Sequence, residues 1–132
     1  MSKLQKNIFS NHLGLPAREM ARIAYCMLRN GKWKEKQIIS QWFIKGTEKP
    51  SHSIIGGDAD SDSTGWELPA RLPDGKGKGI PLDTQEKRGS GGQYIAFIPS
   101  LDLVVVRHTG GSRLKWEWQT YLRKTIEAVL II

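Results

Sequence analysis

The sequence holds a single cysteine, Cys26, in 132 residues, so no intramolecular disulfide can form. Cys26 falls inside an apolar helical pattern and reads as a reduced core residue, which says little about compartment. The three histidines, His12, His52 and His108, are far apart and lack the spacing of metal ligands. No apolar run approaches a membrane span, and the opening MSKLQKNIFSNHLG has no apolar signal-peptide core. As it stands the chain is expected to be cytoplasmic, with no membrane partner. The glycine-rich stretch 73–81, PDGKGKGIP, has no Gly-Lys-Ser or Gly-Lys-Thr end, so it is no phosphate-cradling loop. No internal repeat is visible, and no cofactor or metal is expected.

What is present suffices for one domain. Hydrophobic residues make up 39% and include five tryptophans, enough to build a core. Twenty basic residues against 13 acidic ones give a net charge of +7. That balance raises the case for an anionic partner, but the basic residues are spread along the chain, as on an ordinary solvated surface.

The centre of the pattern is residues 89–110, GSGGQYIAFIPSLDLVVVRHTG. Residues 93–98 and 103–106 are β-branched and aromatic runs separated by Pro99-Ser100-Leu101-Asp102, which predicts an antiparallel hairpin. Neither run alternates with polar residues, so both are expected to be covered on both faces. Upstream, Met20, Ile23, Ala24, Met27 and Leu28 make the stripe of a helix over about 16–30, begun near Pro16 and ended by Gly31. Residues 32–39 read as a charged turn. Ser40 is placed to cap a short helical turn carrying Trp42 and Phe43. Residues 66–72 suggest a short edge strand. Loops are expected over about 45–65 and 73–88. A last helix is expected over about 112–130, capped by Ser112, with Leu114, Trp118, Tyr121, Leu122, Thr125 and Val129 on one face. Trp116 lies off that face. Asp58, Asp60 and Asp62 alternate in the manner of a calcium loop. Ser63 and Pro69, however, stand where that loop needs glycine and glutamate, so a solvated acidic turn is the better account. The fold class expected is mixed α/β (α+β), a small antiparallel sheet packed between two helices.

The ordered segments resemble a known family. Residues 92–106, GQYIAFIPSLDLVVV, are similar to the C-terminal strand pair of the serine β-lactamase and penicillin-binding-protein superfamily, in its class C β-lactamase-related hydrolase and esterase branch. Residues 15–22, LPAREMAR, and 27–33, MLRNGKW, with Gln37-Ile38-Ile39 and Trp42, resemble that branch's helix-then-turn segment. The resemblance implies acyl transfer by a Ser-x-x-Lys nucleophile, with a Tyr-x-Asn motif handling protons. It also implies a third, Lys-Thr-Gly-like motif on the strand flanking the site. Counted back from Tyr94, that motif falls on Lys87-Arg88-Gly89, where Arg88 departs from threonine. The backbone N–H of Ser90 would then serve the oxyanion hole. On the bland view Lys87 and Arg88 are ordinary charges flanking a strand.

The first two motifs are missing. Ser112-Arg113-Leu114-Lys115 spells Ser-x-x-Lys, but it follows the hairpin, whereas the family's nucleophile lies far upstream; Ser112 is better read as a helix cap. Tyr25, Tyr94 and Tyr121 have no asparagine two residues on. The chain is therefore expected to be a single partial domain, residues 1–132, the C-terminal part of a β-lactamase-like hydrolase, inactive alone. If a missing N-terminal part carried a signal peptide, the whole protein would be periplasmic or secreted. Its partner would be a small acyl substrate once completed, and its sheet edge would favour self-association or pairing with another chain. The alternative is a basic α/β module for an anionic ligand or nucleic acid, resting on Lys76, Lys78, Lys87, Arg88, Arg107, Arg113 and Lys115. It ranks lower, because no nucleic-acid motif is present.

Overall fold

A computed structural model describes residues 15–50, 65–73, 75–89, 93–108 and 118–131. Among them the chain is mixed α+β, with three α-helices and two small antiparallel sheets.

Helix α1 spans Ala17–Leu28. Pro16 sits at its N-cap in extended geometry, where the missing N–H costs nothing. Glu19, in the first turn, suits the positive helix end and pairs with Arg22 at 2.7 Å. The helix ends where Asn30 and Gly31 both take positive φ, and the Gly31 N–H donates to the Cys26 carbonyl at 2.8 Å. Gly31 is required there twice over. Its φ is +84°, and a Cβ would lie 2.0 Å from the Ile39 carbonyl oxygen. Ala24, Cys26 and Met27 are buried, whereas Ile23, placed on the stripe by its spacing, is 40% exposed.

Residues 32–39 are not merely a charged turn. Strands β1 (Lys32–Trp33) and β2 (Lys36–Gln37) form a small hairpin. Of the four strand residues only Trp33 favours strands; Lys32, Lys36 and Gln37 carry little β-propensity. The Gln37 side-chain amide, which donates to the Asn30 and Ile39 carbonyls, and the Ile38 and Ile39 N–H groups, which donate to the Gly31 carbonyl, help to hold the hairpin. Helix α2 (Gln41–Thr47) follows, and the Ser40 hydroxyl accepts from the Phe43 N–H at 3.2 Å, as a cap should. Residues 45–47, expected as loop, belong to this helix.

Residues 66–72 form no strand. Glu67 makes one antiparallel bridge to Glu86, and Pro69–Arg71 then turn into a 3-10 helix. Pro69 has no N–H to continue a ladder, so pairing stops after a single bridge. The expectation of a flexible 73–88 also fails at its end, where Gln85–Arg88 are strand β3. Their sequence, QEKR, has weak β-propensity; an adjacent apolar strand supplies the ladder that propensity alone would not predict.

That strand is β4 (Tyr94–Ile98), buried at all five positions between β3 and β5 (Leu103–Arg107). The predicted hairpin is thus the middle of the larger sheet. Strand pleat divides its side chains. Tyr94, Ala96, Ile98 and Val105 face Trp118, Leu122 and Ile126 of helix α3 (Trp118–Ile131). Ile95 and Phe97 face Ala24 and Met27 of α1, with Ile44 and Trp66. The hairpin turn is a 3-10 turn, Pro99–Leu101, ending at Asp102 with φ 49°. Asp83 accepts from the Ser100 N–H and hydroxyl, and Arg29 pairs with Asp102 at 2.5 Å, tying α1 to this turn. The cap role given to Ser112, the places of Leu114 and Trp116, and the acidic alternation Asp58–Asp62 fall outside the described residues.

Candidate functional site

The residues singled out by sequence lie where β3 runs out toward β4. Arg88 stands opposite Tyr94, Lys87 opposite Ile95, and the Gly89 N–H donates to the Gln93 carbonyl at 2.8 Å. Successive strand residues point to opposite faces, so the Lys87 and Arg88 side chains lie on opposite sides of β3. Lys87 lies on the face of Ile95 and is exposed. Arg88 lies on the α3 face with Tyr94 and is held by an ion pair with Glu67. Ser90, the expected oxyanion donor, and Ser112, the weak nucleophile candidate, fall outside the described residues.

What the sequence did not single out is Glu86. Its side chain shares the α3 face with Arg88 and is fully buried. One carboxyl oxygen accepts from the Trp118 indole N–H at 2.5 Å. The other has no hydrogen-bond partner among the described residues; the Arg88 Nε lies 3.8 Å from it. Glu67 and Glu86 are joined along the backbone by N–H to carbonyl bonds in both directions, at 2.8 and 2.9 Å. Two carboxyls therefore share one guanidinium. Burial, opposed by the Trp118 bond and by Arg88 and helped by nearby Glu67, pushes the Glu86 carboxyl up from 4.5 to about 7.

Aromatic rings close the cluster. Trp118, itself fully buried, stacks on Tyr94 with ring centres 4.6 Å apart and planes 8° from parallel. Tyr121 stacks on Trp118 at 5.7 Å, and the Arg107 guanidinium lies over the Tyr121 ring at 5.8 Å. A sequence signal for this existed: Glu86 and Arg88 alternate with Lys87 just before an apolar strand, which puts an acid and a base on one face. Its partner Trp118 lies thirty-two residues further on, beyond the reach of any local pattern.

Comparison with protein-family models, with curated proteins and with solved structures found no match. Among the described residues, no group of three or more His, Cys, Asp or Glu side chains could hold a metal ion. No helix among them is long and apolar enough to cross a membrane.

Proposed function

We propose that this chain is the C-terminal wall of a β-lactamase-related serine hydrolase site, whose nucleophile lies outside these residues. The reading rests on the resemblance of residues 92–106 and of the α1 segment to that family. One structural observation carries most of its support. A charged strand end, Lys87 to Gly89, forms the edge of a three-stranded antiparallel sheet sandwiched between an earlier and a closing helix. In that order the third-motif position stands beside the sheet edge where a substrate's anionic group would be held.

Within the motif we assign the two cations different roles. Lys87, exposed and without an ion pair among the described residues, is the cation we assign to an acyl substrate's anionic group. Arg88 serves Glu67 and Glu86 instead. Half-buried Val104 and Val106 on β5, whose outer side carries no strand among the described residues, are consistent with a sheet that takes a further strand. The reading as a basic anion-binding module draws less support, since two of its cations, Arg88 and Arg107, are engaged with Glu67 and the Tyr121 ring.

The test is turnover of a chromogenic ester and of a chromogenic β-lactam by the folded chain. The expected rate is that of buffer alone. A monomer that turns over either substrate as a complete serine hydrolase does would overturn the proposal.

A further inference from the structure

Glu86 has no part in the acyl-transfer reading, yet it is the most constrained ionisable group described. It is wholly buried, one of its oxygens accepts from the first residue of α3, and its other oxygen has no hydrogen-bond partner among the described residues. The groups on its side of the sheet are Arg88 from its own strand, Glu67 from the bridged segment, Tyr94 from β4, Arg107 from β5, and Trp118 with Tyr121 from α3. Arg88 is hydrogen-bonded to Glu67, not to Glu86. With both carboxyls ionised the three groups Glu67, Glu86 and Arg88 carry a net negative charge, and the more buried carboxylate lies against Trp118. With a proton on Glu86 the triad is neutral. A neutral O–H without a partner costs far less to bury than a bare carboxylate oxygen.

We propose that Glu86, Arg88, Glu67 and Trp118 form a proton-gated latch between β3 and α3, closed when Glu86 holds its proton and weakened when it ionises.

The direction follows from linkage. The docked carboxyl holds its proton up to about 7, whereas an undocked, solvated one loses it near 4.5. The latch is therefore at full strength below pH 4.5 and loses strength as pH rises toward 7. Above that it is flat. The docking equilibrium of α3 should fall by about a hundredfold between about pH 5 and 8. A carboxyl stabilised as its anion would give the opposite slope.

The experiment is amide hydrogen exchange on the full chain across that pH range, corrected for the intrinsic pH dependence of exchange, comparing α3 with α1. In the native protein, α3 protection is expected to fall by about a hundredfold while α1 stays constant. Glu86→Gln keeps an oxygen for the Trp118 N–H but cannot ionise, and its α3 profile should be flat. Glu67→Gln leaves Arg88 to Glu86 alone, and should move the α3 transition to lower pH by roughly one unit. Parallel fall of α1 and α3, unchanged α3 protection in the native chain, or absent α3 protection at low pH would each overturn the latch. Should Glu86→Gln fail to fold, an unmoved transition in Glu67→Gln overturns it equally.

Discussion

Trp118→Ala is expected to destabilise the chain by about 5 kcal/mol, the largest effect of any single substitution described here. Truncating a fully buried tryptophan removes about 3–5 kcal/mol of packing. This one also stacks on Tyr94 and Tyr121 and gives the Glu86 side chain its only hydrogen bond among the described residues. Leaving that carboxyl without a donor adds about 1–3 kcal/mol. A domain of ordinary stability, about 5–15 kcal/mol, would be largely unfolded by the change. Trp118→Phe separates the two contributions. It keeps most of the ring stack and loses the N–H donor, so about 2 kcal/mol is expected. Urea denaturation of both variants at fixed pH measures this. Equal midpoints for the Ala and Phe variants would contradict the share assigned to stacking.

Phe97→Ala is expected to cost about 4 kcal/mol, through the opposite face of the sheet. Phe97 is 1% exposed and meets Trp66 edge to face at 5.1 Å, beneath α1. The cavity would open between two elements, the sheet and α1, neither of which can collapse without breaking the ladder of β4. Val104, its cross-strand partner on β5, is only half buried, and its alanine variant should cost about 1 kcal/mol. Thermal unfolding of the two variants checks the contrast. Similar losses would mean that β5 bears as much of the packing on that face as β4.

Local pattern exposed those parts of the fold whose cause is local. The hairpin was legible because both strands are apolar runs with a Pro-Ser-Leu-Asp turn between them. α1 was legible from its stripe and Gly31, and α2 from Ser40. β3 was not. Gln85-Glu86-Lys87-Arg88 has no strand composition, and only the presence of β4 makes it a strand. The supposed strand at residues 66–72 erred the other way, because its apolar residues are compatible with a ladder that Pro69 interrupts. At the candidate site, Lys87 and Arg88 are adjacent in the sequence, but β3 separates their side chains. Residues adjacent in sequence lie on opposite faces of a strand, and Arg88 belongs with Glu86 and Glu67. Glu86 was passed over because a charged residue in a charged run looks solvated. Its burial follows from α3, which returns from the far end of the chain to cover it.

The same faces bear on the acyl-transfer reading. If the chain supplies only a flanking wall, Lys87 is its contribution, and no nucleophile among these residues should be activated. Intact mass after treatment with a fluorophosphonate serine-hydrolase probe, on protein that unfolds cooperatively, tests that most directly. The account predicts an unmodified mass. A single stoichiometric adduct would contradict it, and would place the nucleophile within this chain, with Ser112 and Ser90 the first residues to map.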